Sequence, residues 1–252
     1  MITTYHRPKT LDEALTLLTQ PNRIPLGGGT LLASRKLAPD SIEVVDLQSL
    51  SLDTVIKNGN NLEIGATVTL QQLLESELCP DALKSALKLE APLNIRNTAT
   101  VAGTLVASDG RSTFASLLLA TDAKIEQAIL NDSNIEYRMT NIGEFLPLKS
   151  TKLITRLILP LNIKLAFEYV SRTPADKPIV CATLAQWNSG RSRLALGGYG
   201  RSPMLAMDGT EAEGLETAAG NAYHEATDEW ASSEYRMDVA STLAKRCLEG
   251  LH

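Results

Sequence analysis

Apolar residues recur at 11, 14, 15 and 18 in the stretch Leu11-Asp-Glu-Ala-Leu-Thr-Leu-Leu, which puts them on one face of a helix. Thr10 precedes that helix as an N-cap, and Glu13 follows three positions later, the spacing of a capping box. Arg23-Ile-Pro-Leu is a short apolar run that enters three glycines, and Thr30-Leu-Leu leaves them. Glu43-Val-Val-Asp-Leu reads as a strand. Thr54-Val-Ile-Lys and Leu62-Glu-Ile-Gly flank Asn58-Gly-Asn-Asn, so they read as a hairpin built on Asn-Gly turn chemistry. Helical patterns follow over 69–76 and 81–89. Residues 112–120 read as a buried helix. Residues 124–130 and 153–159 read as strands, the second closed by Pro160.

The last third changes character. Residues 165–170 and 179–187 are strand-like, and Arg193-Leu-Ala-Leu-Gly-Gly-Tyr-Gly reads as a third strand ending in glycines. Residues 209–219 and 232–251 are helical. Three strands followed by helices predict a small α+β domain, separate from what precedes it. The boundary falls near Pro160-Leu161-Asn162, which gives one domain over 1–160 and another over 161–252. The first divides further into subdomains of about 1–56 and 57–160. No fixed-period repeat or low-complexity tract interrupts this pattern.

Composition narrows the function classes. Apolar residues make up 44% of the 252 positions and charged residues 21%, which suits a folded globular chain and not a disordered one. Aromatics are only 4%, so the core must be aliphatic. The net charge of −5 argues against a nucleic-acid binder. No apolar run approaches the ~20 residues of a membrane span, and the N-terminus lacks a signal pattern. Cys79, Cys181 and Cys247 are odd in number and far apart. They predict no disulfide framework and a reducing, cytoplasmic setting, and their spacing supplies no local zinc or iron–sulfur motif.

Two segments carry candidate chemistry. Gly27-Gly28-Gly29 can turn consecutive backbone N–H groups onto an anion, and a helix starting near Thr30 would add its dipole. A phosphate is the natural guest; a tight strand-to-helix turn is the alternative. The loop is not a Walker loop, which ends in Gly-Lys-Ser/Thr. Nor is it a GxGxxG fingerprint, because Leu32 stands where the third glycine belongs. In the second segment Thr98, Thr100 and Thr104 stand at even spacing around Gly103, and a strand would put their hydroxyls on one face. A buried strand using those hydroxyls for its own backbone is the alternative. Taken together, the two segments suggest one extended, diphosphate-sized ligand.

Pro25-Leu-Gly-Gly-Gly-Thr-Leu-Leu and Ile95-Arg-Asn-Thr-Ala-Thr-Val-Ala-Gly-Thr-Leu resemble the two FAD-binding loops of the flavin-binding (medium) subunit of molybdenum hydroxylases. That family includes carbon monoxide dehydrogenase, nicotine and quinoline oxidoreductases, and the flavin domain of xanthine dehydrogenase. The likeness extends through Tyr5-x-x-Pro8, Leu62-Glu-Ile-Gly-Ala-Thr-Val-Thr-Leu, the run from Leu153 to Pro160, and Ser232-Ser-Glu-Tyr-Arg. It implies an α+β protein with a vanillyl-alcohol-oxidase-type FAD-binding fold. Two α/β subdomains would be followed by a small C-terminal α+β domain with a three-stranded sheet and helices. It implies non-covalent FAD held by Pro25, Leu26, Gly27, Gly28, Gly29, Thr30 and Leu31 and by Thr100, Val101, Ala102, Gly103 and Thr104, with Ile154 against the flavin. It further implies a small partner subunit carrying [2Fe–2S] clusters, a large molybdopterin subunit, and an acceptor such as NAD, oxygen or a quinone. No catalytic acid or base is required of this chain, since the cofactor carries the redox chemistry.

The chain departs from the family pattern at three places. Val-Ala-Gly-Thr replaces Ile-Gly-Gly-Asn, so Thr104 stands for an amide. Thr113 occupies, by ungapped counting, the position of a cofactor-contacting Asp, with Asp109 out of register. Glu168 stands where some relatives carry Lys. These departures motivate the alternative of a flavin-poor scaffold or assembly subunit. A free-standing flavin reductase is a third reading.

The remaining candidates read as structure. His6, His224 and His252 form no i,i+4 ligand pair, so no metal site is expected. Ser108-Asp-Gly-Arg-Ser lacks the GxSxG elbow. Trp187 and Trp230 read as packing residues. The acidic stretch 211–229, with six carboxylates and no Lys or Arg, reads as a solvated helix and linker. The Gly27-Gly28-Gly29 segment yields a test: Gly28→Asp should abolish FAD retention by setting a side chain and a like charge against the diphosphate, measured as flavin content of the folded variant.

Overall fold

A computed structural model describes residues 2–32, 41–132, 134–149, 152–174 and 176–251. The chain opens with strand β1 (Ile2–His6), helix α1 (Leu11–Leu18), β2 (Arg23–Leu26) and β3 (Ile42–Asp46). The three strands form a parallel sheet in the order β1-β3-β2. The N-terminus of α1 is capped as its sequence predicts on one side: Thr10 Oγ1 accepts from Glu13 N at 3.2 Å. The returning bond lands one residue early, with Glu13 accepting from the backbone of Lys9 at 2.9 Å.

The middle of the chain forms a five-stranded antiparallel sheet and a layer of helices. Strands β4 (Val55–Asn58) and β5 (Asn61–Gly65) make the expected hairpin, with Gly59 at φ +57° in the turn. Helices α2 (Leu70–Glu75), α3 (Asp81–Glu90), α4 (Leu93–Arg96), α5 (Val101–Ala107) and α6 (Thr113–Ala120) follow. Next come β6 (Lys124–Asn131), β7 (Asn134–Asn141), α7 (Ile142–Leu148) and β8 (Leu153–Pro160), and the sheet order is β4-β5-β8-β6-β7. The α2 cap is a complete capping box between Thr69 and Gln72. All eight residues of α6 are buried, the mark of a helix enclosed on every side.

The C-terminal part has strands β9 (Ile163–Val170), β10 (Val180–Trp187), β11 (Ser192–Gly197) and β12 (Met204–Gly209), then α8 (Leu215–Asn221) and α9 (Ser233–Glu249). The sheet has four antiparallel strands, in the order β12-β11-β10-β9, where three were expected. The extra strand, β12, lies on an edge and is only half-buried, so its sequence lacks a clean alternation. It takes up the start of the segment read as helix over 209–219; that helix begins at Leu215.

Strand β10 explains how this sheet joins the rest. Val180, Ala182 and Leu184 belong to the core formed with α8 and α9. Its opposite face meets α6 through the smaller Cys181, Thr183 and Ala185, and Ala185 and Ala195 join the core of the middle unit. Small residues let the helix approach the sheet closely.

Segment 98–104 differs from the strand pattern. Thr100 is the N-cap of α5, its Oγ1 accepting from Gly103 N at 3.2 Å, and Val101 and Leu105 are buried one helical turn apart. Tertiary burial of an i,i+4 pair overrides the β-branched composition here. Strand β7 and helix α7 had no clear period: β7 is an edge strand with mostly exposed residues, and α7 contains Pro147. Residues 30–32 form a turn, so no helix starts at Thr30 itself, and the continuation over 33–40 lies outside the described residues.

A buried carboxylate ties α3, α6 and the C-terminal part together. Glu90 accepts from Ser112 Oγ (2.8 Å), Thr113 Oγ1 (3.2 Å) and the backbone N–H of Phe114 (3.0 Å). Lys177 Nζ reaches its other oxygen at 3.0 Å. Lys177 is partly exposed, so most of the effect lies in the buried hydroxyls and the α6 N-terminus. Glu90→Ala should therefore cost about 3 kcal/mol of stability. Glu90→Gln, which keeps one acceptor oxygen, should cost less. Urea denaturation of the two variants checks the order.

Candidate functional site

The loop that leaves β2 meets the loop that enters α5 at backbone distance. A Cβ placed on Gly28 would lie 1.6 Å from Thr98 O, and one on Gly27 would lie 2.6 Å from Thr100 Oγ1. Gly29 is in the left-handed region at φ +70°. The first two glycines therefore allow the two loops to touch, and the third supplies the turn.

The second loop is fixed from its other side by residues 66–70. Val101 N donates to Val68 O at 2.8 Å, Leu70 N to Ala99 O at 2.9 Å, and Thr69 and Thr100 form an isolated antiparallel bridge. Ala66 N in turn donates to Thr155 O on β8 at 3.0 Å. The second loop, the segment after β5 and the start of β8 thus form one hydrogen-bonded frame, against which the glycine loop packs.

Beside this frame lies a cavity of about 550 Å³, in the range usual for ligand sites. Pro25, Leu26, Gly27, Gly28, Gly29, Thr30 and Leu31 all line it. Thr100, Ala102, Gly103 and Ile154 line it from the other side. The backbone N–H groups of Gly28, Gly29 and Thr30 have no acceptor among the described residues, so they are available to a bound anion. The Thr100 hydroxyl is already spent on its helix cap.

Three other expected residues lie elsewhere. Val101 is fully buried in the core of the middle unit. Thr104 is half-buried on α5, away from the cavity lining. Thr113 is buried at the start of α6, and its hydroxyl donates to Ala86 O at 2.7 Å and to Glu90. The departures at 104 and 113 therefore remove no group from the cavity wall.

The structure also brings in residues that sequence reasoning missed. Arg23, Lys149 and Lys152 line the cavity, with no carboxylate among the described lining residues. In a chain of net charge −5, the charged side chains among the described lining are thus all basic. Arg23 is held by Glu43 at 2.6 Å. Lys149 follows α7 in a left-handed conformation and donates to Ser108 O; burial pushes its ammonium pKa down, while Asp109 pulls it back up. Thr67 also lines the cavity. Only Thr67 had a sequence signal, inside the Gly-Ala-Thr-Val run after β5. The lysines follow a helix whose pattern was not legible.

The described residues of the site form no constellation for acid–base or nucleophilic catalysis. No group of three or more His, Cys, Asp or Glu could hold a metal among the described residues. Cys79, Cys181 and Cys247 are buried and free, and burial pushes each thiol up to about 12, so none is a ready nucleophile. The arrangement suits a bulky, partly apolar ligand with an anionic centre.

Comparison with known proteins agrees with this class of ligand. Residues 1–162 match the family described as the FAD binding domain in molybdopterin dehydrogenase. The chain belongs to that family of oxidoreductase components. It is 28% identical over 250 residues to the uncharacterized protein YgfM of Escherichia coli (strain K12), covering 96% of this chain and 94% of that one. It is 28% identical over 187 residues to xanthine dehydrogenase of Blastobotrys adeninivorans, which covers 64% of this chain and 13% of that protein. In fold it is similar to quinoline 2-oxidoreductase of Pseudomonas putida 86, with a TM-score of 0.80, 21% identity, and 98% and 96% of the two chains covered. The carbon monoxide dehydrogenase of Oligotropha carboxidovorans gives the same TM-score and coverage at 23% identity.

The glycine geometry revises the reason for the Gly28 test. A side chain at Gly28 strikes the Thr98 carbonyl before it reaches any ligand. Gly28→Ala should therefore lower the thermal midpoint of the flavin-free protein by several degrees. Gly29→Ala has room for its Cβ, 3.4 Å from Leu26 Cδ1, and costs about 1 kcal/mol for its left-handed backbone alone. Melting curves without FAD check that Gly28→Ala is the more damaging.

Proposed function

We propose that the chain is the FAD-binding, electron-transfer subunit of a multisubunit molybdenum hydroxylase. It would relay electrons from [2Fe–2S] clusters of a partner subunit to an external acceptor such as NAD, oxygen or a quinone, while a large molybdopterin subunit oxidises the substrate. The observation that carries this reading is the cavity itself. Gly28, Gly29 and Thr30, whose N–H groups have no acceptor among the described residues, line one space with Arg23, Lys149 and Lys152, and no carboxylate is among its described lining residues.

Each part of the wall has a task on this reading. Gly28, Gly29 and Thr30 offer backbone donors to the diphosphate, and Arg23, Lys149 and Lys152 supply counter-charge. Ile154 and Leu153, with Leu26 on the facing loop, form apolar surface for the ring system and exclude water from it. When bound, FAD supplies one- and two-electron redox chemistry that no side chain here offers. Val101 supports the wall from the core side, and Thr113 belongs to the Glu90 network.

The reading also divides the chain near residue 160, with the C-terminal part covering α6. It places the protein in a reducing, cytoplasmic setting, supported by its buried free thiols. No helix among the described residues is long and apolar enough to cross a membrane.

The test is the visible absorption spectrum of the purified chain, with flavin released by heat and quantified. The expected result is FAD near one per chain, retained or taken up on addition. No flavin after addition of FAD would overturn the reading and favour a scaffold subunit of the same complex.

A further inference from the structure

The wall of the cavity contains one buried side-chain polar atom that has no partner among the described residues. Thr67 is 3% exposed and lines the cavity. Its backbone N–H donates to Leu52 O at 2.9 Å. Its Oγ1 has no hydrogen-bond partner among the described residues. A buried hydroxyl in that state destabilises the fold relative to an apolar side chain of the same shape. Valine would fill the site equally well, so packing gives no reason for the hydroxyl.

The neighbouring hydroxyls are all occupied. Thr100 caps α5, Thr69 caps α2, and Thr155 donates to Glu126 at 2.7 Å. Other buried polar atoms also lack partners, on Ser116, Gln127, Thr183 and Arg193, but none of those residues lines the cavity. Among the described residues, Thr67 alone has a buried side-chain polar atom that is unpartnered and lies in the cavity wall. It is also held on both sides by backbone bonds of Ala66 and Val68 to the second glycine loop, Ala102 N to Ala66 O at 3.3 Å and Val101 N to Val68 O. The hydroxyl is therefore pre-positioned against the same frame as the glycine N–H groups.

We propose that Thr67 is a cofactor-binding residue whose hydroxyl is satisfied by a polar atom of bound FAD. This rests on the reading of the cavity as an FAD site. The protein tolerates an unpaired hydroxyl in the empty state and recovers that loss on binding. The consequence is a variant with two effects of opposite sign. Removing the hydroxyl relieves the flavin-free protein and weakens the complex.

The experiment uses the full chain, stripped of flavin. FAD is titrated and followed by quenching of flavin fluorescence, and thermal melting of the flavin-free protein is recorded in parallel. Thr67→Val should weaken FAD binding about tenfold, the effect of one neutral hydrogen bond. Its flavin-free thermal midpoint should equal or exceed that of the wild type. Thr67→Ser, which restores the hydroxyl, should bind within about threefold of the wild type. Thr183→Val removes an unsatisfied hydroxyl outside the cavity and should leave FAD affinity unchanged.

Wild-type affinity in Thr67→Val would overturn the proposal. So would a lower midpoint of flavin-free Thr67→Val with unchanged FAD affinity, which would assign the hydroxyl to a structural water. A wild-type chain that takes up no FAD would instead overturn the reading of the cavity itself, before any variant is compared.

Discussion

The Gly28 backbone and the Thr98 carbonyl lie so close that no Cβ fits between them. Much of the site depends on that approach. It brings the loop after β2, at the edge of a parallel sheet, against the loop that enters α5, over a different sheet. Side chains on either surface would hold the loops apart by the width of a methyl group. With them apart, the N–H groups of Gly28, Gly29 and Thr30 would no longer share a cavity with Thr67 and Ile154. The glycines thus serve the protein's own backbone first, and any ligand through it.

Rigidity reaches this contact from the second sheet. The segment 66–70 is bonded to the second loop on one side and to β8 on the other. Behind it, α6 is wholly buried, and its N-terminus is held by the Glu90 carboxylate. Lys177 connects the same carboxylate to the C-terminal part. The four-stranded sheet covers α6 through small side chains on β10, so that one strand contributes to two cores, Ala185 on the α6 side and Val180, Ala182 and Leu184 on the other. A carboxylate serving two hydroxyls, one N–H and one ammonium is a specific joint, since the hydroxyls and the N–H, left unpaired there, would be buried without water.

The cavity's chemistry is that of recognition. It combines backbone donors, basic side chains and an aliphatic wall, and its described residues include no pair of groups suited to proton transfer. This agrees with membership of the family of FAD-binding domains in molybdopterin dehydrogenases. A protein that positions a redox cofactor needs geometry and electrostatics more than reactive side chains. The burial of all three thiols fits the same view, because none is placed for exchange with an electron carrier.

The sequence by itself determined the elements whose signals are local. The period of Leu11–Leu18, the Thr10 cap, the Asn-Gly hairpin between β4 and β5 and the glycine run after β2 are each written within a few neighbouring residues, because caps, turns and helical faces are short-range physics. Family membership was legible for the same reason, from loops whose residues stand together. Tertiary structure decided the rest. It made 101–107 a helix, since burial of Val101 and Leu105 outweighed the β-branched Val101, Thr104 and Val106. It added β12, which exists only by pairing with β11. It set Thr104 and Thr113 apart from the cavity and brought Lys149, Lys152 and Thr67 to it. Those outcomes depend on groups far apart in the chain, and no local pattern encodes a distance between them.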